Sequence, residues 1–251
     1  MTRSFAFFLG GHDLEMVTIR DLLREQSQQV VDHGFRWGAK ASAYGREIAQ
    51  THDDGQVPVL VELEPDIPLP AGTVLVDHHG TRAGEPSALL QVFRLLGLPD
   101  GDWSRRFQLV SANDTGHAVG LRAAGTNDAE IRSIRAEDRR AQGITPEQDR
   151  AGLTALSQAA RWPGGVLVVQ LPHTHAATVT DPLAMASGHP PDLLIVTPEG
   201  RNFFGSGERI ARLDRAFPGG WTGGDLLERG YWGISQVIDE SMLQAALLAR
   251  S

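Results

Sequence analysis

Residues 73–80 read TVLVDHHG and contain the strongest structural signal in the chain. The first four residues have high β-propensity, an acid and two histidines follow at once, and the closing glycine permits a turn. In an open parallel α/β sheet, ligands and metals bind at the carboxyl ends of the strands. The stretch therefore predicts a strand that ends at a functional site made by Asp77, His78 and His79.

Three further apolar runs end in acids or histidines. Residues 4–9 lead into His12, Asp13 and Glu15; residues 57–61 lead into Glu62 and Glu64; and residues 107–110, predicted to be a strand, are followed by Asp114. The carboxyl ends of parallel strands lie at one edge of a sheet, so we expect these side chains to converge with those of residues 77–79.

The alternation of strand and helix signals predicts an α/β fold whose parallel sheet is covered by helices on both faces. Helices are predicted over residues 14–31 and 128–142. Two further helices are predicted to begin after Ser87, as N-cap, and at Pro146. A short strand is predicted near residues 34–43. The pattern restarts after residue 165, with strands at 166–171 and 193–197 and helices at 176–187, 208–216 and 237–250. We predict a first domain over residues 1–158 and a smaller α/β domain over residues 159–251.

Composition excludes several classes of function. The chain of 251 residues has a formal charge of −8, which argues against duplex nucleic acid as a partner. It has no cysteine, so disulfides and thiolate chemistry are excluded. No segment has the ~18 apolar residues that a membrane span needs, and we expect a cytoplasmic protein. The arginines of the helix at 128–142 are interpreted as a solvated face: Arg132, Arg135, Arg139 and Arg140.

The acids and histidines at the strand ends are more than one metal ion needs. Converging carboxylates repel one another unless cations lie between them. Two divalent metals about 3.5 to 4 Å apart form the arrangement used for in-line attack at phosphorus. Mixed oxygen and imidazole ligands favour Mn²⁺ over Mg²⁺, which is the alternative ion.

These motifs together resemble the DHH phosphoesterase superfamily. The resemblance rests on the Asp-His-His triplet at 77–79 with Pro-Ser-Ala at 86–88, on Asn-Asp-Thr-Gly at 113–116, and on a contracted first motif at 11–15. The region after residue 165 is similar to the DHH-associated domain. The superfamily includes nanoRNases with pAp phosphatase activity, cyclic-dinucleotide phosphodiesterases, RecJ-type exonucleases, exopolyphosphatases and pyrophosphatases. The resemblance covers nearly the whole chain and implies an active site in the cleft between the domains.

The resemblance also implies roles for individual residues. It assigns His12 and Asp13 to one metal, Glu15, His78 and Asp114 to the other, and Glu62 to both, with Glu64 as the alternative. Asp77 would lie at the edge of the second metal or orient its histidine, and His79 would contact the substrate phosphate or protonate the leaving group. The substrate-binding residues are expected in the second domain: Arg201, Arg209, Gly219, Gly220, Trp221 and Thr222.

The resemblance implies hydrolysis of a phosphoester in a small nucleotide or short oligonucleotide, with two Mn²⁺ ions and a bridging hydroxide as nucleophile. Trp221 stands where the family has a histidine, and its ring could stack on a base. A pyrophosphate or polyphosphate hydrolase is an alternative. Glutamate stands at positions 15 and 62, where the family has aspartate, so a non-catalytic nucleotide-binding member is a further alternative. A homodimer is compatible with the sequence.

Overall fold

A computed structural model describes residues 4–36, 38–82, 84–186 and 190–249. The chain forms two compact units, Met1–Gly143 and Ile144–Ser251. The predicted domain boundary lies between residues 158 and 159, whereas the compact units meet between residues 143 and 144. Helix α6 (Pro146–Ser157) therefore belongs to the second unit. The assignment of metal binding and substrate binding to separate domains remains a prediction.

The first unit is built on a four-stranded, entirely parallel sheet. In spatial order its strands are β2 (Gln29–Val31), β1 (Phe5–Leu9), β3 (Val57–Val61) and β4 (Val74–Val76). The three strands predicted at residues 4–9, 57–61 and 73–76 are confirmed. Residues 6–9 of the central strand β1 are fully buried, so both faces of this strand are covered, as expected for a parallel sheet.

Five helices of the first unit lie within the described residues. They are α1 (Leu14–Glu25), α2 (Gly45–Asp53), α3 (Ala88–Leu95), α4 (Arg105–Ala123) and α5 (Asp128–Ala141). Helix α1 contacts α3, α4 and α5, whereas α2 packs against β3. Tyr44, fully buried before α2, donates a hydrogen bond to the carbonyl of Leu9 at 2.7 Å and so fixes the end of β1.

The prediction of one helix over residues 14–31 is wrong in its second half. Helix α1 ends at Glu25, Ser27 turns the chain with φ of 53°, and residues 29–31 pair with β1 in parallel. The two valines of this segment favour a strand once an edge is available. The short strand predicted near residues 34–43 is also absent from the described residues there; a 3₁₀ turn at Ala41–Tyr44 follows instead.

The strand predicted at residues 107–110 is wrong, because this segment lies in helix α4. Ser104 caps the helix by accepting a hydrogen bond from the backbone NH of Phe107 at 3.2 Å. The buried residues Leu109, Val110 and Asn113 have helical spacing, and the helix contacts α1, α3 and α5. A short apolar run does not distinguish a buried strand from a buried helical segment, so Asp114 reaches the site from a helix.

The second unit contains a six-stranded mixed sheet with core clusters of buried side chains. Its spatial order is β5 (Ala160–Arg161), β6 (Leu167–Gln170), β7 (Leu193–Val196), β8 (Arg201–Ser206), β10 (Arg229–Ile234) and β9 (Trp221–Asp225). The helices are α6, α7 (Ala177–Ala186), α8 (Gly207–Ala216) and α9 (Glu240–Leu248). The predicted α/β class is therefore confirmed, although the glycine-rich segment at 217–224 contributes a strand. Ser187 and Arg250, the ends of two predicted helices, lie outside the described residues.

No helix in the described part of the chain combines the length and the apolar character that crossing a bilayer requires.

Gly10 allows β1 and β3 to end close together, since a β-carbon there would lie 2.1 Å from the carbonyl oxygen of Glu62. We expect Gly10→Ala to lower the free energy of unfolding by about 1 to 3 kcal/mol, because the added methyl must push the two backbones apart. Urea denaturation measures this loss. Gly101→Ala is the control, because nothing lies within 4 Å of a β-carbon at that position. Equal stability of the two variants would contradict the prediction.

Candidate metal centre

Four side chains from distant parts of the first unit converge on one point. They are Glu15 in the first turn of α1, Glu62 directly after β3, His78 two residues after β4, and Asp114 in α4. One ligand atom from each lies within 4.8 Å of the others. The Nε2 atom of His78 lies 2.7 Å from Asp114 Oδ2, 3.3 Å from Glu62 Oε1 and 3.9 Å from Glu15 Oε2.

These four converging atoms are buried. Within the described part of the chain, no partner with hydrogen-bond geometry is found for Glu15 Oε2, Glu62 Oε1, His78 Nε2 or Asp114 Oδ2, although His78 Nε2 lies only 2.7 Å from Asp114 Oδ2. Buried polar atoms are normally hydrogen-bonded, and a group left without a partner carries the full cost of desolvation. The four atoms are therefore arranged as candidate ligands for a cation.

Glu15 is held by the N-terminus of helix α3. Its Oε1 accepts a hydrogen bond from the backbone NH of Leu89 at 3.0 Å, while its Oε2 faces His78. Ser87 caps the same helix end by accepting from Leu90 NH at 3.3 Å, as predicted. The length of the glutamate side chain lets one carboxylate serve both the helix and the cluster, which gives a structural reason for glutamate at this position.

Glu62 has an unusual backbone conformation that places its side chain in the cluster. Its φ of 52° lies in the left-handed region, which costs a non-glycine residue of order 1–3 kcal/mol. Neighbouring strands hold this conformation, since Glu62 NH donates to the carbonyl of Val76 at 2.8 Å and Gly10 packs against its backbone. The alternative ligand, Glu64, is exposed and lies 3.7 Å from the ammonium of Lys40.

The charge of the cluster alters the acidity of its members. Burial lowers the pKa of His78, but the carboxylates of Asp114 and Glu62 outweigh this effect and raise the pKa to about 10. Burial, followed by the charges of Asp114 and Glu62, raises the pKa of Glu15 well above its usual range. Mutual repulsion among the acids is thus the main electrostatic feature of the metal-free site.

Asp77 and His79 form a pair beside the cluster. Asp77 Oδ1 accepts from the backbone NH of His79 at 2.8 Å and lies 3.0 Å from its Nδ1. Burial tends to raise the pKa of Asp77, but the hydrogen bonds from His79 hold it below its usual range. His79 in turn has a raised pKa because of its hydrogen bond to Asp77. A second group of possible ligands consists of His79, Glu62 and His78.

His12 and Asp13 lie outside both groups of possible ligands in the described residues. His12 is exposed, and Asp13 caps α1 by accepting from Met16 NH at 2.9 Å. Burial, together with the charges of Glu62, Asp114 and Asp138, raises the pKa of Asp13 to about 7. The charge of the cluster therefore affects the acidity of Asp13. The ligand roles of both residues remain predictions.

The second unit places the predicted substrate-binding residues in different environments. Arg201 is 5% exposed and donates to the carbonyls of Thr197, Gly200 and Ile238. Arg209 forms a salt bridge with Asp192 at 2.6 Å. Both guanidinium groups make contacts within the second unit, and their roles in substrate binding remain predictions.

Gly219 and Gly220 directly precede the edge strand β9, and Trp221 and Thr222 are its first two residues. Trp221 is 38% exposed. A β-carbon on Gly233 of the neighbouring strand would lie 2.5 Å from its indole ring, so this glycine makes room for the ring.

A buried network next to the cluster was missed in the sequence. Arg135 and Asp138 on α5 are each 4% exposed, so the prediction that the arginines of this helix form a solvated face is wrong for Arg135. A signal was present, because Arg135 and Asp138 share the spacing of the buried residues Ile131 and Ile134.

The donor set fits divalent metal ions. It combines three carboxylates with imidazole, it is buried, and it contains ligand atoms that face one another without partners. Oxygen and nitrogen donors of this kind suit Mn²⁺, Mg²⁺ or Zn²⁺, with imidazole favouring the transition metals. Glu62 and His78 belong to both groups of possible ligands, which together contain five residues.

Comparison with known proteins gives matches among solved structures. Manganese-bound RecJ from Thermus thermophilus aligns with a TM-score of 0.49 and 13% identity over 97% of this chain and 51% of RecJ. A pGpG-specific phosphodiesterase, PggH from Vibrio cholerae, aligns with a TM-score of 0.44 and 12% identity over 92% of this chain and 93% of PggH. A DHH domain from a member of the s1p family of ribosomal proteins aligns with a TM-score of 0.43 and 11% identity over 93% of this chain and 72% of that chain.

A DHH domain is thus among the matches. The chain spans about half the length of the Thermus RecJ. No family model matches the chain, and no curated protein matches it in sequence. Since every TM-score quoted is below 0.5, function is inferred below from the site residues.

The raised pKa of Asp13 predicts how metal-free stability depends on pH. The folded protein binds this proton more tightly than the unfolded chain, so the contribution of Asp13 to stability declines as pH rises from about 4 to about 7. We expect Asp13→Asn, which retains a good N-cap, to match the wild type near pH 4 and to exceed its stability at pH 8. Urea denaturation in EDTA measures this difference. A difference that is the same at both pH values would contradict the prediction.

Proposed function

We propose that the chain is a DHH-type phosphoesterase that hydrolyses a phosphoester in a small nucleotide or short oligonucleotide with the help of divalent cations, preferably Mn²⁺. The observation that supports this proposal best is the convergence of four buried ligand atoms, from Glu15, Glu62, His78 and Asp114, for which the described residues offer no partner with hydrogen-bond geometry.

Glu15, His78 and Asp114 would hold one cation, and Glu62 would be shared with a second cation on the side of His79. Asp13 and His12 remain proposed ligands of that second ion. When bound, the cations supply a more acidic water molecule and positive charge for the phosphate oxygens. The three carboxylates compensate that positive charge in a buried environment, where such interactions are stronger than in water.

His79 is the residue we propose for proton transfer. Its Nδ1 is oriented by Asp77, its side chain is 38% exposed, and its pKa is raised by that pairing. A histidine that is oriented in this way can, in its protonated form, donate to the leaving oxygen of a phosphoester. Asp77 would therefore act by orienting His79.

Trp221 supports a substrate that contains a base. Its ring is partly exposed at the edge strand of the second unit, beside a glycine that makes room for it. We propose that Trp221 stacks on a nucleobase and that Gly219, Gly220 and Thr222 shape the surrounding surface. A pyrophosphate or polyphosphate chain offers no ring for such stacking.

The test is hydrolysis of pAp, a linear dinucleotide, a cyclic dinucleotide and pyrophosphate, each with Mn²⁺ and with EDTA. Mn²⁺-dependent turnover of a nucleotide supports the proposal, whereas turnover of pyrophosphate alone favours the phosphoanhydride hydrolase. Tight nucleotide binding without any turnover would favour the non-catalytic member of the superfamily.

Asp114→Asn should reduce kcat/KM for the best nucleotide substrate by more than about 100-fold, because it removes a negative ligand from the buried cluster. The fold should be retained, since the amide has nearly the same shape as the carboxylate. Circular dichroism and Mn²⁺-dependent kinetics check both points. Asp100→Asn, in an exposed turn of the same unit, is the control with unchanged activity. Full activity of Asp114→Asn would refute the assignment.

Trp221→Ala should raise KM for a nucleotide roughly tenfold, in line with stacking energies of about 1–3 kcal/mol per base. The value of kcat should change little, because the ring is proposed to bind the base and to take no part in bond cleavage. Pyrophosphate turnover, where it can be measured, is the internal control and should be unaffected. An unchanged nucleotide KM would rule out stacking by this residue.

A further inference from the structure

A buried arginine contacts the helix segment that carries Asp114. Arg135 Nη1 donates to Asn113 Oδ1 at 2.9 Å and lies 3.3 Å from Nδ1 of His117. Asn113 is 2% exposed and directly precedes Asp114 in α4. The guanidinium therefore holds the side chain next to a proposed metal ligand.

The same guanidinium is linked to the segment that carries Glu15. Arg135 Nη1 also donates to Asp138 Oδ2 at 2.7 Å, and Asp138 Oδ1 accepts from the backbone NH of Leu14 at 3.1 Å. Leu14 is the first residue of α1 and lies between Asp13 and Glu15. One buried ion pair on α5 thus contacts two of the chain segments that bring acids to the cluster.

The backbone of α4 gives a reason for this support. His117 has φ of 46° and ψ of −135°, so the helix is interrupted three residues after Asp114. A β-carbon on Gly120 would lie 2.3 Å from the carbonyl oxygen of Ala112, which shows how closely the chain folds back around the interruption. Regular hydrogen bonding on both sides is what normally fixes a helical residue. Asp114 lies three residues before this interruption, where the contact of Asn113 with Arg135 can help to hold the helix.

We propose that Arg135 is a positioning residue, which through Asn113 and Asp138 holds Asp114 and Glu15 at the separation that binds divalent cations. The inference rests on the proposed metal-dependent function and deepens it. Electrostatics alone predicts the opposite effect, because a positive guanidinium near the cluster opposes the binding of a cation. The sign of the change on removing Arg135 therefore distinguishes positioning from simple charge.

The experiment measures Mn²⁺ affinity of the full chain by isothermal titration calorimetry. We expect Arg135→Gln to weaken Mn²⁺ binding about 10- to 100-fold, as is typical when a residue that supports metal ligands is changed. Arg135→Lys keeps the positive charge but lacks the planar guanidinium group, so it should recover part of the Mn²⁺ affinity. Arg132→Gln, an exposed arginine of the same helix, is the control and should match the wild type. Equal or tighter binding by Arg135→Gln would overturn the proposal.

A second variant separates positioning from loss of stability. Arg135→Gln leaves Asp138 as a buried acid without its cation, whereas Arg135→Gln/Asp138→Asn removes that charge and keeps an oxygen for Leu14 NH. We expect the double variant to regain stability in urea denaturation but to remain weak in Mn²⁺ binding, because Asn113 still lacks its guanidinium. Recovery of wild-type affinity would overturn the positioning role. Failure of the wild type itself to bind Mn²⁺ would instead refute the proposed function.

Discussion

Mutual repulsion of buried acids is the constraint on which the first unit depends. Glu15, Glu62 and Asp114 bring carboxylate oxygens within 4.8 Å of one another, and His78 is the basic side chain among them. An isolated ionised carboxylate is costly to bury, and several together raise one another's pKa values. The raised pKa values of Glu15 and Asp13 follow from burial and from this shared negative field. A divalent cation bound among these acids would relieve this repulsion.

The rest of the unit holds the acids against this repulsion. Glu15 is held by the amide of Leu89, and Glu62 by a left-handed backbone that its neighbouring strands support. Asp114 lies on helix α4, which is interrupted at His117, and its neighbour Asn113 is held by a hydrogen bond from Arg135. Each ligand is thus fixed by contacts from a different element, and this is how a site is organised before its ion arrives.

Much of the site could be predicted because its members follow short, recognisable signals. Glu62 and His78 come shortly after apolar strands, and the sequence motifs assigned Glu15 and Asp114 to the same centre. Local sequence offered no basis for choosing the conformation of residues 107–110, because an apolar run fits a strand and a helix equally well. Arg135 was misjudged for a related reason. A charged residue on a helix is usually solvated, and the spacing that Arg135 shares with Ile131 and Ile134 was the signal in the sequence that this one is buried.

The amino-acid sequence by itself determined the α/β class, the strands at residues 5–9, 57–61 and 74–76, and the types of ligand available, because these depend on local propensity and on residue chemistry. The tertiary structure alone decided that Glu62 and not Glu64 enters the cluster, and that Arg135 contacts the segments around the site. It also showed which partners Arg201 and Arg209 contact within the second unit. These choices depend on which side chains meet across distant segments, and such meetings are set by packing and buried charge, which no short stretch of sequence contains.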